Sequence, residues 1–158
     1  MWFKNIRVYK LTRPIDLSVD TLEAALEKRQ FVPCSNIDYS RIGWVPPLGP
    51  QSEQYVHPVG QYVMLCVRKQ EKILPAAAIN EMFEDKVQEF ESTRERKMYR
   101  KEKTSLKDDI VHTLLPRALT RSARMYAYFD TAKGLLVVDA ASATKAEEFL
   151  DWLRGTLG

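Results

Sequence analysis

The stretch from Pro75 to Leu119, PAAAINEMFEDKVQEFESTRERKMYRKEKTSLKDDIVHTLLPRAL, decides how the whole chain is read. Ile79, Met82, Phe83, Val87 and Phe90 recur at helical offsets, so an amphipathic helix is expected from about Pro75 to about Met98. Pro75 suits its first turn, where an amide has no intrahelical partner. Beyond Phe90 the apolar stripe thins and charge takes over. A second helix is expected near Ser105, with Ser105 and Asp108 placed for a capping box. Leu106, Ile110, Leu114 and Leu115 share one face of it, and Pro116 stops it. Two helices joined over Lys101 to Thr104 form an antiparallel hairpin. A hairpin whose core stripe ends before its helical composition does is expected to protrude.

The far end of this hairpin is strongly basic. Arg94 to Lys107 holds seven Lys/Arg against two Glu. The cations are Arg94, Arg96, Lys97, Arg100, Lys101, Lys103 and Lys107. With Arg117, Arg121 and Arg124, ten of the 24 basic residues fall within 31 positions. Fixed positive charge at that density is best satisfied opposite a polyanion, of which nucleic acid is the foremost candidate. A solvated helix face is the competing reading of the run taken alone.

Working outward, Trp2 to Leu11 alternates as a strand, with Trp2, Ile6 and Val8 on one face and Asn5, Arg7 and Tyr9 on the other. A helix capped by Ser18 or Asp20 carries Val19, Leu22, Ala25 and Leu26 at helical spacing. Phe31 to Asp38 reads as a loop, and a short strand reaches Val45 before Pro46 and Pro47. His57 falls in a loop between Val56 and Pro58. Gln61 to Lys69 is a strand whose core face is Val63, Leu65 and Val67. Past the hairpin, Met125, Ala127 and Phe129 alternate with Tyr126 and Tyr128. Asp130 to Gly134 is a hairpin loop, and Leu135 to Asp139 the partner strand. Ser142 can cap a last helix with Ala146, Phe149, Leu150 and Leu153 as its stripe. The order implies an α+β fold: a mostly antiparallel sheet with packed helices and a protruding helical-hairpin tip. Residues 1–74 with 120–158 form the expected core domain, and 75–119 the tip.

Composition bounds the function. The chain has 158 residues, 45% of them hydrophobic, and a net charge of only +3, so its basicity is regional. Cys34 and Cys66 are far apart, and with only His57 and His112 they give no four-ligand zinc spacing. They read as small apolar residues in a reducing compartment. No signal-peptide stretch or 18-residue apolar run is present, so a cytoplasmic protein with no membrane span is expected. No P-loop, G-x-S-x-G, G-x-G-x-x-G or H-E-x-x-H motif occurs. Asp108 and Asp109 read as charges near a helix N-terminus, and Asp130 and Asp139 as turn or strand-end residues. No catalytic set, metal or cofactor is expected. Trp44, Pro46 and Pro47 read as packing over a core edge.

The aromatics refine the expected partner. Only Tyr99 interleaves with the basic run, whereas single-strand binders set several stacking rings in their basic groove. Few Asn or Gln are placed to read base edges. Phosphate contacts to duplex DNA with little sequence preference fit best, with single strands as a lesser possibility.

Five strings then converge on one family: Met1-Trp2-Phe3-Lys4-Asn5-Ile6 with Val8-Tyr9; Gly43-Trp44-Val45-Pro46-Pro47-Leu48-Gly49; Lys69 and Glu71-Lys72-Ile73-Leu74-Pro75; Ser105-Leu106-Lys107-Asp108 with His112 and Leu114-Leu115-Pro116-Arg117-Ala118; and Val138-Asp139 through Ala141-Ser142-Ala143 to Lys145-Ala146-Glu147. Together they resemble the recombination-associated protein RdgC family, in order over essentially the whole chain. The resemblance implies a nucleoid-associated, non-catalytic DNA-binding protein without cofactor. It implies a homodimeric ring with a basic hole, restraining access of RecA recombinase to DNA. The hairpin would be the tip of each protomer, near the hole and a subunit contact, with Leu119, Met98 and Tyr99 as contact residues. Family members are longer, and this chain resembles their N-terminal half. Leu119 stands where the family pattern leads one to expect phenylalanine. The alternative is a protein-interaction or dimerisation module that uses the hairpin without binding DNA.

Overall fold

The structure, a computed structural model, describes residues 3–158. Met1 and Trp2, the latter expected at the head of the first strand, lie outside the described residues. The elements in order are β1 (Ile6–Lys10), α1 (Val19–Glu27), β2 (Ser40–Val45), β3 (His57–Val59), β4 (Tyr62–Lys72), α2 (Ala76–Arg94), α3 (Arg100–Leu114), a 3-10 turn (Leu115–Arg117), β5 (Thr120–Asp130), β6 (Leu135–Asp139) and α4 (Ala143–Leu157). The strands form one six-stranded sheet in the order β1-β6-β5-β4-β2, with β3 pairing β4. The fold is α+β with an antiparallel sheet. β1 with β6, β5 with β6 and β3 with β4 are antiparallel pairs. The chain divides into two compact units, one of residues up to Val32, Ile42–Lys69 and Ser122–Gly158, the other of Pro33–Arg41 and Gln70–Arg121.

The first unit holds the core. Val63, Leu65 and Val67 of β4, Ala127 and Phe129 of β5, and Leu136 and Val138 of β6 project to one side of the sheet. There they meet Leu22 and Leu26 of α1 and Ala146, Phe149, Leu150 and Leu153 of α4. This is the period-2 strand pattern meeting two helical stripes. Each buried Val, Leu or Phe side chain among them contributes about 1.5–3 kcal/mol. Trp44 is fully buried and edge-on to Phe149, 5.6 Å between ring centres. Its indole N–H donates to Thr156 Oγ1 at 2.9 Å, which satisfies the polar end of an otherwise apolar residue. Packing is therefore what the Trp-Val-Pro-Pro segment does. Ser142 caps α4 by accepting the Lys145 amide. The α1 start is held by Asp16, which accepts the Ser18 amide at 3.0 Å and the Thr21 hydroxyl at 2.9 Å. Asp130 is buried at the end of β5 and accepts from Gln61 Nε2 and the Lys133 amide. Asp139 at the end of β6 accepts the amides of Lys4 and Asn5.

His57 departs from its expected loop. It opens the three-residue strand β3, in which His57 pairs with Met64 and Val59 with Tyr62. The hairpin turns through Gly60 at φ 60, a conformation that costs glycine little. Pro58, which reads as a strand breaker, is tolerated in so short a strand at the sheet margin.

Candidate nucleic-acid interface

The second unit is the helical hairpin with its base. α2 begins after Pro75, which sits at the cap position, and carries the expected stripe; Ile79, Met82, Phe83, Val87 and Phe90 are all half-buried. α3 supplies the facing residues, with Ile110 buried and Leu106 and Leu114 half-buried. At the base the Ile73 amide donates to the Leu119 carbonyl at 2.7 Å, which ties the two ends of the hairpin together. Lys72 Nζ donates to the Leu115 carbonyl at 2.9 Å, satisfying an acceptor that the end of a helix leaves free.

The turn is earlier than the composition suggests. α2 stops at Arg94 and not near Met98, and α3 starts at Arg100 and not near Ser105. The connection is therefore Glu95 to Tyr99, and Lys101 to Thr104 are helical. Glu95 takes a left-handed conformation at φ 52, which ends α2. The helix start is fixed by Glu102 three residues into α3: its carboxylate accepts the Tyr99 amide at 2.8 Å. That is one half of a capping box, since a phenol at Tyr99 offers no local acceptor for the other half. Ser105 and Asp108 thus lie inside α3 and cap nothing. Asp108 and Asp109 are mid-helix, beyond the first turn where the dipole would favour them. His112 is exposed, with Nδ1 2.7 Å from the Asp108 carbonyl oxygen.

Arg96 staples this turn. Its guanidinium makes a forked pair with Glu102, 2.8 and 3.1 Å, and lies 4.9 Å over the Phe90 ring and 4.5 Å over the Tyr99 ring. The Arg96 bonds, followed by the Tyr99 amide, hold the Glu102 carboxyl down at about 2. Arg96 was one of the expected contact residues, and the structure gives its charge a local partner.

The remaining cations of the run are exposed. Arg94 lies 5.7 Å over Phe90, and Lys107 5.1 Å over Phe83. Lys97, Arg100, Lys101 and Lys103 are exposed and make no ion pair among the described residues. Arg100, Lys101 and Lys103 occupy the opening turn of α3, where unpaired amides already make the helix end positive. Cations there work against the dipole, so they weaken the helix and concentrate positive potential at one end of the hairpin. Arg117 ends the 3-10 turn and is exposed. Arg121 contacts Glu71 Oε2 at 3.3 Å and stays well exposed. Arg124 belongs to the first unit, on β5. Of the expected subunit contacts, Leu119 is 77% exposed and Tyr99 66%. Met98 is half-buried and lines a cavity of about 300 Å³ with Phe90, Arg94 and Leu106.

Among the described residues no group of three or more His, Cys, Asp or Glu side chains is gathered as metal ligands. No helix is long and apolar enough to cross a membrane.

The family model described as "Putative exonuclease, RdgC" matches residues 1–158. The chain belongs to the RdgC family. Curated RdgC relatives named "Recombination-associated protein RdgC" align along all of it. The Proteus mirabilis (strain HI4320) protein is 46% identical over 158 residues, 100% of this chain and 52% of its own length. The Aeromonas hydrophila protein is 44% identical over the same span, as is that of Salmonella paratyphi B, each again covered over 52% of its length. The chain thus spans about half the length of the RdgC relatives it matches. The expected N-terminal-half resemblance is borne out, and the names of these RdgC relatives associate them with recombination.

Proposed function

We propose that this chain binds duplex DNA through its phosphates, with little sequence preference and without cutting it, by means of the basic end of the α2–α3 hairpin. The observation that carries the reading is the set Arg100, Lys101 and Lys103 in the opening turn of α3, with Lys97 just before it. These exposed charges oppose the helix dipole and make no ion pair among the described residues, which is the electrostatics of a surface held ready for an anion. Arg94, Lys107, Arg117 and Arg121 add to the positive charge of this unit, and Arg124, on the first unit, is a further phosphate contact in this reading. Arg96 then acts as a positioning residue: its pair with Glu102 fixes the turn that presents its neighbours. Leu119, Tyr99 and Met98 form a homodimer contact, with Leu119 supplying aliphatic area where an aromatic would supply more. In the cell such binding on the nucleoid would restrain RecA-dependent recombination, in keeping with the names of the relatives.

Joint substitution of Lys97, Arg100, Lys101 and Lys103 by Ala tests the reading by fluorescence anisotropy on a mixed-sequence duplex. Binding at 50 mM salt should fall at least tenfold, whereas Lys28→Ala, on α1, should leave it within twofold. Equal binding by both variants would contradict it. The same duplex, end-labelled and incubated with protein and Mg²⁺, should remain full length. Progressive shortening would instead assign the nuclease chemistry that the family description names. Light scattering gives the second reading its test: a dimer formed without DNA and lost in Leu119→Lys, in a protein that binds no duplex, would make the hairpin an interaction module.

A further inference from the structure

The helices of the first unit cover only one side of the sheet. Strand registers place Val8 beside Val137, and Val137 beside Tyr128, on the opposite side. Tyr128 is in turn 5.4 Å from the Phe3 ring and 5.6 Å from the Tyr62 ring. An antiparallel sheet with one solvated face alternates apolar-in and polar-out. β1 is inverted: Arg7 and Tyr9 point to the helix side, and Ile6 and Val8 point away from it, 58% and 57% exposed. Tyr62 is 45% exposed. β1 is also the sheet's edge strand, where exposed β-branched residues invite association and are ordinarily avoided. Within the first unit the described cations of this face lie toward its ends, at Lys10, Arg68 and Arg124, and Asp130 and Asp139 are bound up in local hydrogen bonds.

We propose that this open face, with Phe3, Ile6, Val8, Tyr62 and Tyr128 around the buried Val137, is the docking surface for the half of the RdgC polypeptide that this chain does not span. The exposed positions of β1 are aliphatic, and aliphatic side chains do not stack on bases as the rings of single-strand platforms do. An apolar protein surface is the matching chemistry. The relatives that align with all of this chain carry about as much polypeptide again. In them that second half is tethered to the first, at an effective concentration that a separate copy does not reach.

Hydroxyl-radical footprinting of this chain alone, and of a chimera in which the second half of the Proteus mirabilis relative follows it, tests the proposal. In the chain alone Ile6, Val8 and Tyr62 should label as readily as the exposed Leu48. In the chimera their labelling should drop about tenfold while Leu48 is unchanged. The double variant Ile6→Lys/Val8→Lys should leave the melting temperature of the chain alone within about 2 °C and restore labelling of Tyr62 in the chimera. Where the chimera does not fold, the full-length Proteus mirabilis protein, labelled over its matching strand, gives the same readout. Unchanged labelling in the folded longer protein overturns the proposal. So does protection in the chain alone with the mass of a dimer, which makes the occupant a second copy. Protection by an oligothymidylate overturns it too, making the occupant a single strand.

Discussion

At the scale of residues, the hairpin turn depends on one carboxylate. Glu102 is held at about 2, against an ordinary value of 4.5, by Arg96 and the Tyr99 amide. A carboxyl whose value is lower in the folded chain adds stability above its unfolded value and loses it as pH falls toward the folded one. The contribution is therefore present above about pH 4.5 and lost between there and about 2. The NMR shift of the Tyr99 amide should follow that titration, and Glu102→Gln should abolish the response. Asp38 titrates in the same acid window, held at about 2 chiefly by the Ser35 amide, so a global acid melt does not separate the two. Gly43 is a second sensitive point. A Cβ there would stand 2.3 Å from the Phe31 Cα, a clash with backbone. Gly43→Ala should cost about 1–3 kcal/mol in a denaturant melt. The thiols should also separate. Burial pushes Cys66 up to about 12, so a thiol reagent should modify half-buried Cys34 first and reach Cys66 only on unfolding.

At the scale of elements, the sequence is most legible where pattern and packing agree. The stripe of α4, its Ser142 cap, the core face of β4 and the bounds of β6 follow from periodicity because each buries an unbroken apolar face in one core. The hairpin turn was less legible for a physical reason. Residues Glu95 to Ser105 are mostly helix-forming and polar, with Met98 and Tyr99 adjacent and not at helical spacing, so no apolar period marks the break. The cap that places it, Glu102, precedes the motif that looked like one. β3 escaped notice because three residues with a central proline carry no alternation. The inverted face of β1 was visible as alternation, but which side met the helices was not. Because α2 contributes no fully buried residue and α3 contributes Ile110, the hairpin's packing is concentrated at few positions. Ile110→Ala should therefore cost about 2–4 kcal/mol and be felt first in α2 and α3. Hydrogen exchange should rise there while β6 stays protected.

At the scale of the whole molecule, the regional charge outweighs the net charge. A chain of only +3 gathers its cations where a helix end is already positive. The candidate site was legible as a basic run. Its division into a structural arginine and presented cations came only with the ion pair. Binding should be governed by counterion release, with affinity falling as salt rises in proportion to the phosphates neutralised. The direct measurement is fluorescence anisotropy of this chain on a mixed-sequence duplex from 50 to 200 mM salt. With about six phosphate contacts, affinity should fall roughly 10³-fold over that range, and duplexes of unrelated sequence should give the same slope. A flat salt response, or no binding at 50 mM, would contradict it.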